Sequence, residues 1–258
     1  MFGKVVVAAF AGFRLLATRT RAVGVWAAAM LTSIAAAVAI AALARTGVPQ
    51  TPVEPWRWAR VVAVVLPMLI FNLCLLCAVH RAILRPSEQA WGYLRFGADE
   101  LRMFVVGVLG GLVVLACWVV GFLGFVLMTT LGFPRLLAAL IPAGLALFVA
   151  PRLVLFGATS FARRGLAFSE AWDLGGQHYW SLLIMCLLVG VIGVGLLLVQ
   201  VVLAHLLPSA GASVPVRLIL AVPNALIASL LDVVVLASAP AALLALKARP
   251  VDPSAIFD

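Results

Sequence analysis

Charge is scarce in this sequence: one residue in ten is Asp, Glu, Lys or Arg, while two in three are hydrophobic. A soluble domain runs about a quarter charged and about half apolar, so this chain cannot build a water-facing globular surface. Acids are scarcer still, nine against eighteen Lys and Arg, and eight of the nine fall outside the long apolar runs. An intramembrane enzyme would have little to work with. Strict apolar–polar alternation is also missing from runs such as GGLVVLACWVVGFLGFVL at 110–127, which excludes a β-barrel. No phosphate loop, nucleophile–base pair or paired carboxylates occur, so neither enzymatic activity nor a cofactor is expected. The cysteines at 74, 77, 117 and 186 all lie within apolar runs, where a thiol behaves as a small hydrophobe, so no disulfide framework is expected.

Long uncharged runs are present instead. Residues 22–44, 103–134 and 174–216 carry no charge, and each exceeds the roughly 20 residues that cross a bilayer. Backbone groups in lipid must be satisfied within their own segment, so the spans are helices. The expected fold is an all-α integral membrane protein with spans at about 22–45, 59–82, 102–129, 134–161, 179–206 and 216–246, forming one membrane domain over residues 1–258. The N-terminal stretch MFGKVVVAAFAGFRLLATRTRA is interrupted by Arg14 and lacks a small-x-small cleavage site. It reads as an interfacial amphipathic helix, not as a cleaved signal peptide.

Basic residues orient the spans. Thirteen Lys and Arg fall on the side holding the N-terminal segment, the loops after spans two and four, and the C-terminal tail; five, Arg45, Arg57, Arg60, Arg135 and Arg217, fall on the other. That bias places both termini in the cytoplasm. The net charge of +9 is spread along these flanks, so nucleic acid is not an expected partner.

Residues 135–142 read RLLAALIP, with a proline inside an apolar helix at a cost of about 3 kcal/mol in water. RVVAVVLP at 60–67 and RLILAVP at 217–223 have the same form. Pro67, Pro142 and Pro223 are thus expected helix kinks in spans two, four and six, while spans one, three and five contain no proline. PSEQAW at 86–91 and FSEAW at 168–172 precede spans three and five, where Ser87 and Ser169 are natural N-caps. The layout predicts three parallel hairpin repeats, about 1–84, 85–163 and 164–250. Each consists of an interfacial amphipathic helix, a proline-free span and a proline-bearing span.

The segments AVHRAILRPSEQAWGYLRFGADELRMF at 78–104 and RLVLFGATSFARRGLAFSEAWDLGGQHYWSLL at 152–183, with the ending PSAIFD, resemble bacterial six-span inner-membrane proteins without an assigned activity. These are similar to the membrane domain found beside some glycerophosphodiester phosphodiesterases. The resemblance implies a fold and an inner-membrane location. The hydrolase chemistry of the fused relatives belongs to a soluble domain that has no counterpart in this sequence, so no catalytic residue carries over.

Four intramembrane polar residues are candidate functional positions: Asp232, Arg152, Asn72 and Asn224. Asp232 has fourteen uncharged residues on either side, and a mid-bilayer acid costs about 2.5–3.5 kcal/mol unless it is paired, protonated or wet. Arg152 lies about 7–8 Å from it in depth at 1.5 Å per residue, so a pair locking spans four and six is expected in preference to a proton relay. Cys74, Cys77 and His80 share one helix face and form a weak candidate metal set, one ligand short of a structural zinc site. Gly107 and Gly111 have the GxxxG spacing, with Gly121 and Gly124 beyond in span three and Gly190 and Gly193 in span five, and such glycines allow close helix approach.

The expected function is a non-enzymatic one, engaging membrane lipid or another membrane protein in envelope maintenance or assembly. The alternative is a small-solute or ion transporter or channel with a path lined by spans two, four and six.

Overall fold

Prolines, glycines and a few charged residues decide where these apolar helices stop. The structure, a computed structural model, describes residues 2–46, 56–88, 90–206, 227 and 232–247. Among the described residues every regular element is helical. In chain order these are α1 (Phe2–Val7), a 3-10 turn (Ala8–Phe10), α2 (Ala11–Thr18), α3 (Thr20–Thr46), α4 (Trp56–Leu84), a second 3-10 turn (Ala90–Tyr93), α5 (Ala98–Thr130), α6 (Arg135–Ala138), α7 (Leu140–Leu153), α8 (Phe156–Arg163), α9 (Phe168–Gln177) and α10 (Tyr179–Leu206). Residues 232–236 are also helical and are followed by α11 (Ser238–Lys247).

Four helical stretches among the described residues are long and apolar enough to cross a membrane: Val65–Leu84, Ala98–Thr130, Arg135–Arg163 and Tyr179–Val199. They coincide with expected spans two to five. Helix α3 covers the first, with Thr20–Ala36 as its described apolar part. The sixth falls largely outside the described residues, as does Pro223 with its RLILAVP motif. In the most apolar windows of α5 and α10 only 11% is buried, so both helices offer their sides to an apolar surrounding.

Contacts divide the chain into two units, residues 12–100 with 191–236, and residues 1–11 with 101–190 and 237–258. In the first unit α3 packs against α4, and both pack against the turn Ala90–Tyr93. Trp26, Met30, Phe71, Leu75, Ala78 and Val79 are buried there. The Ser33 hydroxyl donates to the Pro67 carbonyl at 3.0 Å, a polar tie within an apolar helix pair. In the second unit α1 and its 3-10 turn pack on α11, α8 packs on α9 and α11, and α7 packs on α9. Glu170 in the first turn of α9 pairs with Arg163 and, at 3.3 Å, with Lys247.

The helical stretch of span four, Arg135–Arg163, is interrupted after α6 and again after α7. Pro142 cannot donate to the Ala138 carbonyl, and α6 ends at that residue; Pro151 stands three residues before the second break. The segment before α5 is a 3-10 turn where an amphipathic helix was expected, because Gly92 and Tyr93 adopt left-handed φ values of 63° and 67°. Ser87 lies in a turn and caps no helix, and Ser169 lies inside α9, which starts after Ala167 without a side-chain cap. Gly107 and Gly111 face open space, while Gly121 and Gly124 of the same helix lie against Pro142 and Ile141. On α5 the close approach therefore lies at Gly121 and Gly124, the second of its two expected glycine pairs.

Candidate functional site

The densest polar constellation among the described residues lies where α4 ends and α5 begins. Arg81 is in the last turn of α4, Arg85 follows one turn later, and Asp99 and Glu100 occupy the first turn of α5, where the helix dipole favours negative charge. The chain between them folds back through the turn Ala90–Tyr93, bringing both ends together. Arg81 reaches Glu100 Oε1 at 2.7 Å and Asp99 Oδ2 at 3.4 Å, and donates to the Tyr93 carbonyl at 3.0 Å. Arg85 reaches Asp99 at 3.1 Å, and Arg95 pairs with Glu88 and, at 3.6 Å, with Asp99.

Arg81 is 1% exposed and Glu100 is fully buried, so removing either partner would strand a charge in a dry place. Three guanidinium groups meet three carboxylates here. That balance makes a clamp joining two helix ends, with each acid committed to an arginine. The sequence treated these arginines only as topology markers. The signal that could have found them is an Asp-Glu pair at the start of a span directly following an arginine at the end of the previous one.

Arg152 has a different environment in the other unit. Its Nη1 donates to the Phe148 carbonyl at 2.9 Å, and its guanidinium lies 4.0 Å from the Phe148 ring centroid and 5.4 Å from those of Trp172 and Tyr179. Aromatic faces attract a cation at such distances. Helix α9 can bring Trp172 this close because Gly175 meets α7 backbone to backbone; a Cβ on it would stand 2.6 Å from Arg152 Cα. Arg152 falls in one unit and Asp232 in the other.

Asp232 is exposed at the start of the helical residues 232–236, beside buried Val233 and Val234. Asn72 is exposed on α4 next to buried Phe71, while Asn224 lies outside the described residues. Pro67 is half-buried within α4, and Pro142 half-buried within α7. Cys77 and His80 are buried and Cys74 is half-buried on one helix face, and both cysteines are free thiols. The His80 Nδ1–H donates to the Leu76 carbonyl at 2.8 Å, turning that nitrogen toward its own helix. Among the described residues no three His, Cys, Asp or Glu side chains are placed to hold a metal ion, so the candidate set Cys74, Cys77 and His80 does not assemble into one.

Each unit also holds a cavity. One, of about 460 Å³, lies among apolar side chains that include Leu109, Leu112, Phe156 and Phe168. The other, of about 480 Å³, is polar and lies where α2 meets α3 beside Gly92 and Tyr93. Comparison of the chain with protein-family models, curated proteins and solved structures finds no match.

Proposed function

We propose that this chain is a non-enzymatic, multi-pass inner-membrane protein that engages membrane lipid or a partner membrane protein in envelope maintenance or assembly. The observation that carries the reading is the ion cluster. Its acids Glu88, Asp99 and Glu100 all face arginines, which suits a structural clamp and leaves no carboxylate poised for proton transfer. The largely unburied sides of α5 and α10 add the apolar surface that lipid or a membrane partner would cover.

The finer architecture belongs to the same proposal: six spans, three parallel hairpins, both termini cytoplasmic, as the resemblance to bacterial six-span proteins implies. One pattern favours the triplication. The turn Ala90–Tyr93 packs on α4 as well as on α3, α9 packs on α7 and α8, and the N-terminal segment packs on α11. Each segment expected at the interface thus rests on a helix from an expected proline-bearing span.

The test is reconstitution of the full chain in proteoliposomes of phosphatidylethanolamine and phosphatidylglycerol. Retention of anionic lipid through purification, with no solute or proton flux above empty vesicles, is the expected result. A flux that disappears in Asp232→Asn while folding is preserved would overturn the reading in favour of transport.

A further inference from the structure

We infer that the polar cavity at the α2–α3 junction is a binding site for a phosphate group, supplied by an anionic phospholipid headgroup. The inference deepens the lipid-engaging reading above and rests on it. The cavity holds about 480 Å³, and Arg19 and Arg21 line it together with Thr18, Thr20, Val25 and Tyr93.

Arg19 breaks the helix between α2 and α3, and Arg21 follows in the first turn of α3. Among the described residues neither arginine forms an ion pair or a side-chain hydrogen bond. Of the unit's described acids, Glu88, Asp99 and Glu100 are committed to Arg81, Arg85 and Arg95, and Asp232 is not among the residues lining the cavity. Two cations therefore share a cavity without a counter-charge. A guanidinium presents a planar fork of donors that suits phosphate oxygens. The Thr20 hydroxyl is a further donor, whereas the Thr18 hydroxyl is spent on the Arg14 carbonyl at 2.8 Å.

The opposite wall is held in a costly conformation. Gly92 and Tyr93 have φ of 63° and 67°, and the second is a bulky residue in a region such residues avoid. Three bonds hold it there: Trp26 Nε1 donates to the Gly92 carbonyl at 2.6 Å, Arg81 donates to the Tyr93 carbonyl, and the Tyr93 hydroxyl donates to the Pro86 carbonyl at 3.2 Å. Backbone held off its preferred angles by several independent contacts is a feature that clusters at ligand sites. At Gly92 a Cβ would stand 3.0 Å from the Val25 Cβ, a tight contact, and the φ of 63° would strain any other residue there.

A membrane source for the phosphate follows from position. Beyond Arg21 the chain carries no charge until Arg45, so the cavity opens where α3 passes from its basic start into its apolar run. A headgroup there would leave its acyl chains beside α3.

The test uses the purified full chain in detergent, titrated with phosphatidylglycerol or phosphatidylcholine and read by native mass spectrometry, with inorganic phosphate as a separate arm. The wild type is expected to prefer phosphatidylglycerol, and Arg19→Gln/Arg21→Gln to weaken its binding about tenfold or more. Arg19→Lys/Arg21→Lys should keep most of the binding, and Arg14→Gln, outside the cavity, should change it about twofold or less. Far-ultraviolet circular dichroism establishes that the variants fold. Inorganic phosphate displacing the lipid only from the arginine-bearing protein would support the site with a soluble ligand as its source. If the double Gln variant binds phosphatidylglycerol like the wild type, this site is overturned while the lipid reading stands. If the wild type shows no preference for the anionic lipid, both fall.

Discussion

The Tyr179 hydroxyl donates to the Leu147 carbonyl at 3.1 Å, and that carbonyl is the one Pro151 leaves without a helical partner. A proline at position i cannot donate to the carbonyl at i−4, so an orphan acceptor arises one turn before Pro151 in α7. The first residue of α10 supplies the missing proton. Arg152, next in sequence, completes the patch by binding the Phe148 carbonyl and stacking among Phe148, Trp172 and Tyr179.

Tyr179→Phe keeps the ring under Arg152 and removes only the hydroxyl. It should destabilise the protein by about 0.5–1.5 kcal/mol, the usual net worth of a hydrogen bond. In a Pro151→Ala background the helix can supply its own N–H to Leu147, and the same substitution should cost measurably less. A double-mutant cycle on the unfolding midpoint in mixed micelles reads the coupling. Equal costs in both backgrounds would show that the two residues act independently.

Arg81 is the strongest candidate for an intolerant position. Replacing it with Met leaves buried Glu100 without the guanidinium 2.7 Å away, and stranding one partner of a buried pair costs about 3–5 kcal/mol. Arg81→Met should therefore lower yield and shift the unfolding midpoint sharply. Adding Glu100→Gln should recover part of the loss, since the stranded charge is then gone. Arg95→Ala, whose side chain is 54% exposed, should cost about 1 kcal/mol or less. A larger loss from Arg95 than from Arg81 would show that burial does not set the importance of these pairs.

Gly175 and its neighbour give a paired test of helix approach. A Cβ at Gly175 would stand 2.6 Å from Arg152 Cα and 3.0 Å from the Pro151 carbonyl, both main-chain atoms that cannot swing aside. Gly175→Ala should cost about 1–3 kcal/mol through displacement of α9 from α7. Gly176 has open space around it, so Gly176→Ala should stay within about 0.5 kcal/mol or gain slightly from helix propensity. Thermal unfolding of the two variants side by side separates packing from propensity.

These particulars show what the chain order reveals and what it hides. Helices α3, α4, α5 and α10 lie within a few residues of their expected places, because an apolar run long enough to cross a bilayer leaves little choice of element. The orphan carbonyls were legible too, since a proline names its own i−4 acceptor. Which hydroxyl would reach Leu147 was not, because Tyr179 is 32 residues away and sequence carries no distance. The cluster around Arg81 was hidden for a related reason. Arginines at a span end satisfy the orientation rule without any partner, so nothing in their spacing required Asp99 and Glu100 to fold back onto them. Tyr93 in a left-handed conformation violates local preference and depends on contacts from Trp26 of α3 and Arg81 of α4 nearby.

The proposed orientation places Ser87 and Asp173 on one side of the membrane and Phe133 on the other. All three are exposed, so each can carry a reporter thiol after the native cysteines, which lie in apolar helices, are replaced by alanine. A membrane-impermeant maleimide should label Phe133→Cys in intact spheroplasts, because that residue follows α5 on the side with few basic residues. Ser87→Cys and Asp173→Cys should stay unlabelled there and react in inverted vesicles. Cysteine at Phe13, exposed on α2, should follow Ser87 if the N-terminal segment rests on the cytoplasmic surface. Labelling of Ser87→Cys and Phe133→Cys from the same side would mean that α5 does not cross the bilayer, and the hairpin arrangement would fail at its second copy.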